Sequence, residues 1–207
     1  MTTETQRKLL YQLVKLFRSS RVLEIGTFTG VSTITMASAL PTLSSSIIPN
    51  DANGNSSKLI SLEIDPKAMN IARKHIQKLK DLDDRVELIL GLAMESLKRI
   101  TKERPGEQYD FIFIDADKGG YISYFDFIMD NNLLSDNGVI IADNVLFYGQ
   151  VHRQAGYADM KPINFKRDIP GMAKQIHQFN EHVLNDKRVQ VVILPLFDGV
   201  SIITKNK

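Results

Sequence analysis

The sequence predicts an α/β fold, a doubly wound seven-stranded sheet that is mainly parallel and ends in an antiparallel C-terminal hairpin strand. Three observations predict it. Short β-branched apolar runs alternate with longer helical patterns, the signature of βαβ units. The first five runs are nearly continuous in apolar residues and end in small or acidic ones, as expected of strands buried on both faces whose C-terminal ends open onto a site. The last two runs are separated only by the turn around Phe197-Asp198-Gly199, too short for a crossover, so they must pair as a hairpin.

Taken in order, Leu9, Leu10, Leu13, Val14, Leu16 and Phe17 keep helical spacing before the first strand, Arg21 to Gly26. After the next helix, Thr42 to Ser57 (TLSSSIIPNDANGNSS) is rich in Ser, Asn, Gly and Pro and reads as an exposed loop insertion. Its sequon, Asn55-Ser56-Ser57, is read as polar loop rather than glycan site. The second strand, Leu59 to Asp65, runs into a helix opened by Asp65-Pro66 and faced with Met69, Ile71, Ala72, Ile76 and Leu79. Strands follow at Val86 to Gly91, Tyr109 to Asp115 and Gly138 to Asn144, with Phe111 and Phe113 as core residues and Tyr124, Phe125 and Phe127 fitting helix packing. Val145 to Pro170 mixes aromatics, glycine and basic residues without periodicity, over the sheet edge where substrate contacts usually lie. Strands Val189 to Leu196 and Gly199 to Lys205 complete the sheet. With no repeat or linker, residues 1–207 read as a single domain.

Composition narrows the function classes. The 207 residues carry 26 basic and 24 acidic side chains, a formal charge of +2, too balanced to make nucleic acid or an anionic membrane the main partner. The absence of cysteine removes disulfides, thiolate zinc sites and cysteine nucleophiles. No apolar run approaches the roughly 18 to 20 residues that cross a bilayer, and the start, MTTETQRKLL, is polar. A soluble, cytoplasmic protein is expected.

Three motifs carry chemistry. In Glu24-Ile25-Gly26-Thr27-Phe28-Thr29-Gly30 the glycines let the backbone turn sharply and approach a ligand at a helix N-terminus. Phe28 stands where a dinucleotide fingerprint needs its middle glycine, and the loop begins with a carboxylate. A pyrophosphate is poorly served there, and a ligand with a cationic end, such as S-adenosylmethionine, suits it better. Glu63 ends the second strand where nucleotide-binding sheets place an acid for ribose hydroxyls, with Asp65 as rival for that role or as helix cap. Finally, Asp115-Ala116-Asp117-Lys118 and Asp143-Asn144 bring several oxygen side chains to two successive strand ends. Such a cluster is repulsive unless a hard cation sits within it, which points to Mg2+, with Ca2+ and Mn2+ as alternatives, rather than zinc.

The strings RVLEIGTFTGVST, SLEIDPKAMNIARKHI, YDFIFIDADKGGY and GVIIADNVLFYGQV resemble those of the class I, S-adenosylmethionine-dependent O-methyltransferases of the catechol and caffeoyl-CoA group. The likeness runs from about Gln6 to Lys205, with FIDADK and ADN its most specific parts. It implies a Rossmann-like fold, a homodimer, and a catechol-like or caffeoyl-CoA-like phenolic acceptor. It also implies Asp115, Asp143 and Asn144 as metal ligands, Lys118 as catalytic base, and Glu24, Gly26, Thr27 and Ser32 as donor-contacting positions. Glu63 falls on the ribose ligand, Ala93 beside adenine, and Asp115 also on a contact of the donor's amino group. Where the catechol enzymes carry a carboxylate in the last strand near the substrate hydroxyls, this sequence has Ser201, and Phe147 matches the aromatic of the loop after ADN.

The expected reaction is in-line methyl transfer to a phenolate oxygen. A free phenol has a pKa of about 10, so metal coordination and proton removal by Lys118 are what make it reactive. Two alternatives stand beside this reading. One is methylation of a nucleic-acid or protein amine, for which the basic helix Lys67 to Lys80 could touch phosphates, although a solvated charged face is the favoured explanation of it. The other is a non-catalytic donor-binding module.

Overall fold

A computed structural model describes residues 3–41, 57–156 and 169–206. The 42–56 part of the expected insertion therefore lies outside the described residues, as does the 157–168 part of the irregular stretch. Among the described residues one sheet contains β1 (Arg21–Ile25), β2 (Lys58–Glu63), β3 (Val86–Leu90), β4 (Tyr109–Ile114), β5 (Leu134–Asp143), β6 (Val189–Leu194) and β7 (Val200–Lys205). Their spatial order is 3-2-1-4-5-7-6. Strands β1 to β5 pair in parallel, and β7 lies antiparallel between β5 and β6. The α/β class, the strand number and the terminal hairpin are as the sequence predicts. The order reverses between β1 and β4, the switch point over which ligands bind in open α/β sheets.

The helices are α1 (Glu4–Leu16), α2 (Val31–Ala39), α3 (Pro66–Gln77), α4 (Lys80–Asp83), α5 (Ala93–Glu103), α6 (Tyr121–Asp130), α7 (Val151–Gln154) and α8 (Ile169–Asn185). Because side chains alternate along a strand, each strand feeds two cores. Val22, Phe111, Phe113, Val139 and Ile141 pack on one face with Leu10, Leu13 and Val14 of α1 and Met36 of α2. Leu23, Ile25, Ile112, Ile114, Ile140 and Ala142 pack on the other with Leu97 of α5, Phe125 of α6 and Ile176 and Phe179 of α8. Each such buried side chain contributes about 1.5–3 kcal/mol. This parity decides which way the polar strand-end residues point.

Several boundaries differ from expectation for local reasons. β5 begins at Leu134, ahead of Gly138. Ser135-Asp136-Asn137-Gly138 has turn composition, yet it continues the strand through a register shift between Tyr109 and Phe111. Gly138 permits that close approach, since a Cβ there would lie 3.0 Å from the Tyr109 carbonyl oxygen. Asp65 is the N-cap of α3, accepting from the Lys67 N–H at 2.8 Å, with Pro66 in the first turn. Within Val145 to Pro170, Val151–Gln154 forms one helical turn and Ile169 and Pro170 open α8. Ile71 and Leu79, expected on the packing face, are exposed, whereas Met69, Ala72 and Ile76 are buried. No described helix is long and apolar enough to cross a membrane.

Candidate active site

The carboxyl ends of β1 to β4 open onto a cleft of about 1040 Å3. Its wall is built from the turn after β1 (Gly26, Thr27, Phe28), the end of β2 (Glu63), the turn after β3 (Gly91, Leu92, Ala93) and the end of β4 (Asp115, Asp117). Of the expected donor-contacting residues, Gly26, Thr27, Ser32, Glu63, Ala93 and Asp115 line it. Gly26 has φ +105°, and a Cβ at this position would sit 2.2 Å from the Asp115 carbonyl oxygen. The strand end and the turn can approach only because no side chain intervenes.

Glu24 is placed differently. It shares the parity of Val22, so it points into the α1/α2 layer, is fully buried and is not part of the cleft wall. Three hydroxyls donate to its carboxylate, from Ser32 (2.5 Å), Thr33 (2.5 Å) and Ser61 (2.6 Å). Burial pushes its pKa up to about 7, against the pull of those donors and with a further push from Asp115. Ser32 therefore lines the cleft and anchors Glu24 at once, a link through which the buried acid can reach the cleft wall. Glu63 accepts at one oxygen from the Phe28 N–H (2.6 Å) and at the other from the N–H groups of Ile64 (2.9 Å) and Asp65 (2.8 Å). A carboxylate has about four acceptor positions, so capacity for hydroxyl donors remains.

Beside the cleft, Asp115 joins a second polar group. Lys118, in a 3-10 turn (Lys118–Gly120) before α6, donates from Nζ to Asp115 Oδ1 (3.3 Å), Asn144 Oδ1 (3.0 Å) and the Tyr121 hydroxyl (2.6 Å). Tyr121 in turn donates toward the carbonyls of Ile114 (3.2 Å) and Asp143 (3.0 Å). Burial holds this phenol well above its ordinary pKa, so it stays protonated. Asp143 ends β5 on the α1 face. Its Oδ1 accepts the Asn144 N–H (2.8 Å) and its Oδ2 accepts from Gln6 Nε2 (2.5 Å). Burial, with Asp115 adding to it, pushes the Asp143 carboxyl up to about 6.

Among the described residues no three His, Cys, Asp or Glu side chains form a metal-holding group. The donor set of Asp115, Asp143 and Asn144 instead joins two carboxylates to an amide. All its ligating atoms are oxygen, Asp115 raises the cost of ionising Asp143, and one ammonium already spans Asp115 and Asn144. That chemistry fits a hard divalent cation.

The loop after β5 carries left-handed backbone at Asn144 (φ 60°), Phe147 (φ 37°) and Tyr148 (φ 53°). It is held by the β6–β7 turn. The Leu146 N–H donates to the Asp198 carbonyl (2.9 Å), and the Tyr148 N–H donates to the Asp198 carboxylate. Phe147 is buried in the core and packs edge-on against Tyr148, which is the exposed aromatic here. Ser201 is fully buried and pairs with Ala142, on the face opposite Asp143. Gln6, Tyr121 and Asp198 were not singled out from the sequence. Only Tyr121, three residues after Lys118 on a helical path, had a local signal.

A glycine turn, a strand-end acid and this strand order together define a class I methyltransferase architecture. The chain belongs to the O-methyltransferase family, which it matches over residues 1–206. It is an S-adenosylmethionine-dependent O-methyltransferase acting on a small-molecule hydroxyl. It is similar to a catechol O-methyltransferase of Niastella koreensis, 38% identical over 146 residues, 70% of this chain and 58% of that protein. It is also similar to a probable caffeoyl-CoA O-methyltransferase 2 of Dictyostelium discoideum, 28% identical over 99% of this chain and 77% of that protein. The crystal structure of SAH-bound Podospora anserina methyltransferase PaMTH1 superposes with a TM-score of 0.82 at 28% identity, covering all of this chain and 80% of that one.

Proposed function

We propose that the protein transfers a methyl group from S-adenosylmethionine to one hydroxyl of a catechol-like phenolic acceptor, with Asp115, Asp143 and Asn144 holding a divalent cation, Mg2+ by the hardness of its ligands. The observation that carries this reading is the meeting of Lys118, Asp115 and Asn144 within 3.3 Å at the rim of the donor cleft. When bound, the cation supplies Lewis acidity to a coordinated hydroxyl and a chelating post for a vicinal pair.

The chain's own residues do the rest. The Gly26 turn, Thr27, Ser32 and Ala93 bind the donor, with Glu63 taking its ribose hydroxyls and Asp115 its ammonium. Lys118, after releasing its own proton to solvent, accepts the acceptor's hydroxyl proton at Nζ. The phenolate oxygen then forms a bond to the methyl carbon as the sulfur–carbon bond breaks, leaving S-adenosylhomocysteine and a Lys118 ammonium. Tyr121, locked as a neutral phenol, steers Nζ from below, and Asp115 and Asn144 receive the ammonium that results. Positioning of this kind lowers the barrier by converting an encounter into an intramolecular step. Leu92 and Phe28, both exposed at the rim, offer apolar cover for the donor. We also take the active form to be a homodimer, as the family resemblance implies.

The test is methyl transfer read by mass spectrometry with simple catechols, caffeic acid, caffeoyl-CoA and flavonoids, with and without EDTA. A methylated vicinal diol whose formation EDTA abolishes is the expected result, and undiminished activity in excess EDTA removes the cation from the mechanism. Lys118→Ala is expected to lower kcat by about 100- to 10,000-fold, the usual weight of a general base, while leaving donor affinity unchanged.

A further inference from the structure

We infer that Gln6 is a positioning residue for Asp143, so that the first turn of α1 is a working part of the metal centre; this rests on the metal reading above. Gln6 and Asp143 lie 137 positions apart in sequence, and both are buried, at 7% and 2% exposure. The Gln6 Nε2–Asp143 Oδ2 hydrogen bond of 2.5 Å ties the start of α1 to the end of β5. The other carboxylate oxygen accepts the Asn144 N–H. With a donor on each oxygen, the plane of the carboxylate is fixed, and each oxygen keeps acceptor capacity for a ligand.

The residue type matters. A lysine or arginine at this place would neutralise Asp143 and compete with a dication for it, and a glutamate would repel it. A neutral amide N–H orients the carboxylate and leaves its full charge available, which is how partners behind metal ligands commonly act. Gln6 has a second task at its opposite end. Its Oε1 accepts the Thr3 N–H (3.4 Å) while the Thr3 hydroxyl accepts the Gln6 N–H (3.3 Å), a capping box for α1. The two tasks can be separated, because Thr3 takes part only in the cap.

The experiment measures Mn2+ binding to the full chain by electron paramagnetic resonance in the presence of S-adenosylhomocysteine, with melting temperature recorded alongside. Gln6→Met, of similar length but with no donor, is expected to weaken Mn2+ about 10- to 100-fold and to leave S-adenosylhomocysteine affinity unchanged. Thr3→Ala is expected to lower the melting temperature and leave Mn2+ affinity as in the wild type. Gln6→Asn keeps an amide with one methylene less reach, and should weaken Mn2+ even if Gln6→Met does not fold. Wild-type Mn2+ affinity in the Gln6 variants overturns the inference, as does equal weakening by Thr3→Ala, which would trace the effect to helix anchoring. Failure of the wild type to bind Mn2+ is a separate outcome that overturns the metal reading and the inference together.

Discussion

Glu24 carries a stability signature that its neighbours make measurable. In the native protein burial raises its carboxyl from the ordinary 4.5 to about 7, so between those values the folded chain binds a proton that the unfolded chain has released. Stability therefore falls as pH rises through that window, by about 3 kcal/mol once both states are ionised. Asp143, raised to about 6, adds a slope of the same sign. Denaturant melts of donor-free, chelator-treated protein between pH 4.5 and 8 should show the decline, and Glu24→Gln should remove its own share and leave that of Asp143. A profile unchanged by the substitution would mean that the carboxylate is not paying the desolvation cost its burial implies. The sequence identifies Glu24 as an acid at the head of a glycine turn, but not its direction. That depends on which face of β1 meets α2, and only the assembled sheet fixes it.

At the level of elements, the end of β2 and the start of α3 divide two roles that the sequence leaves open. Glu63 lines the cleft, whereas Asp65 caps α3. Asp65→Ala should therefore cost about 1 kcal/mol of stability by loss of the cap and leave the donor dissociation constant unchanged. Glu63→Ala should weaken the donor with a smaller effect on melting. Calorimetric titration and thermal melts on the two variants separate the assignments, and a donor affinity that follows Asp65 instead would reverse them. The strands were legible because long apolar runs between breakers have few other solutions in an α/β chain. The start of β5 was not, because Ser135 to Gly138 have turn chemistry and form the irregular stretch between the pairs that Leu134 and Val139 make with β4. Gln6 was invisible for a deeper reason: its partner is Asp143, and nothing local to α1 announces a contact 137 positions away in sequence.

Across the whole molecule, the two cores tie the site together. The layer containing α1 and α2 holds Glu24, Asp143 and Gln6, while the layer containing α6 and α8 holds Tyr121 below Lys118. The apolar residues exposed at one edge of the sheet belong to β6 and its turn, with Val192, Leu196 and Phe197 each more than 40% accessible. An outer strand of this kind invites pairing or cover, which supports the dimer proposed above. Sedimentation at micromolar concentration should give twice the monomer mass, and Val192→Lys should shift the chain toward monomer. A wild-type protein that sediments as a monomer throughout that range would refute it.

The placing of β7 between β5 and β6 has a consequence for biogenesis. The segment synthesised after both of its neighbours is the one that joins them, so a nascent chain can assemble β1 to β5 on emergence but must leave β6 without its partner until residues 200–205 clear the ribosome. The loop after β5, which Asp198 and Gly199 hold in place, matures only at that moment. Catalytic competence should thus arrive abruptly once β7 has emerged, and chains truncated just before Val200 should be retained by chaperones rather than behave as weakly active enzyme.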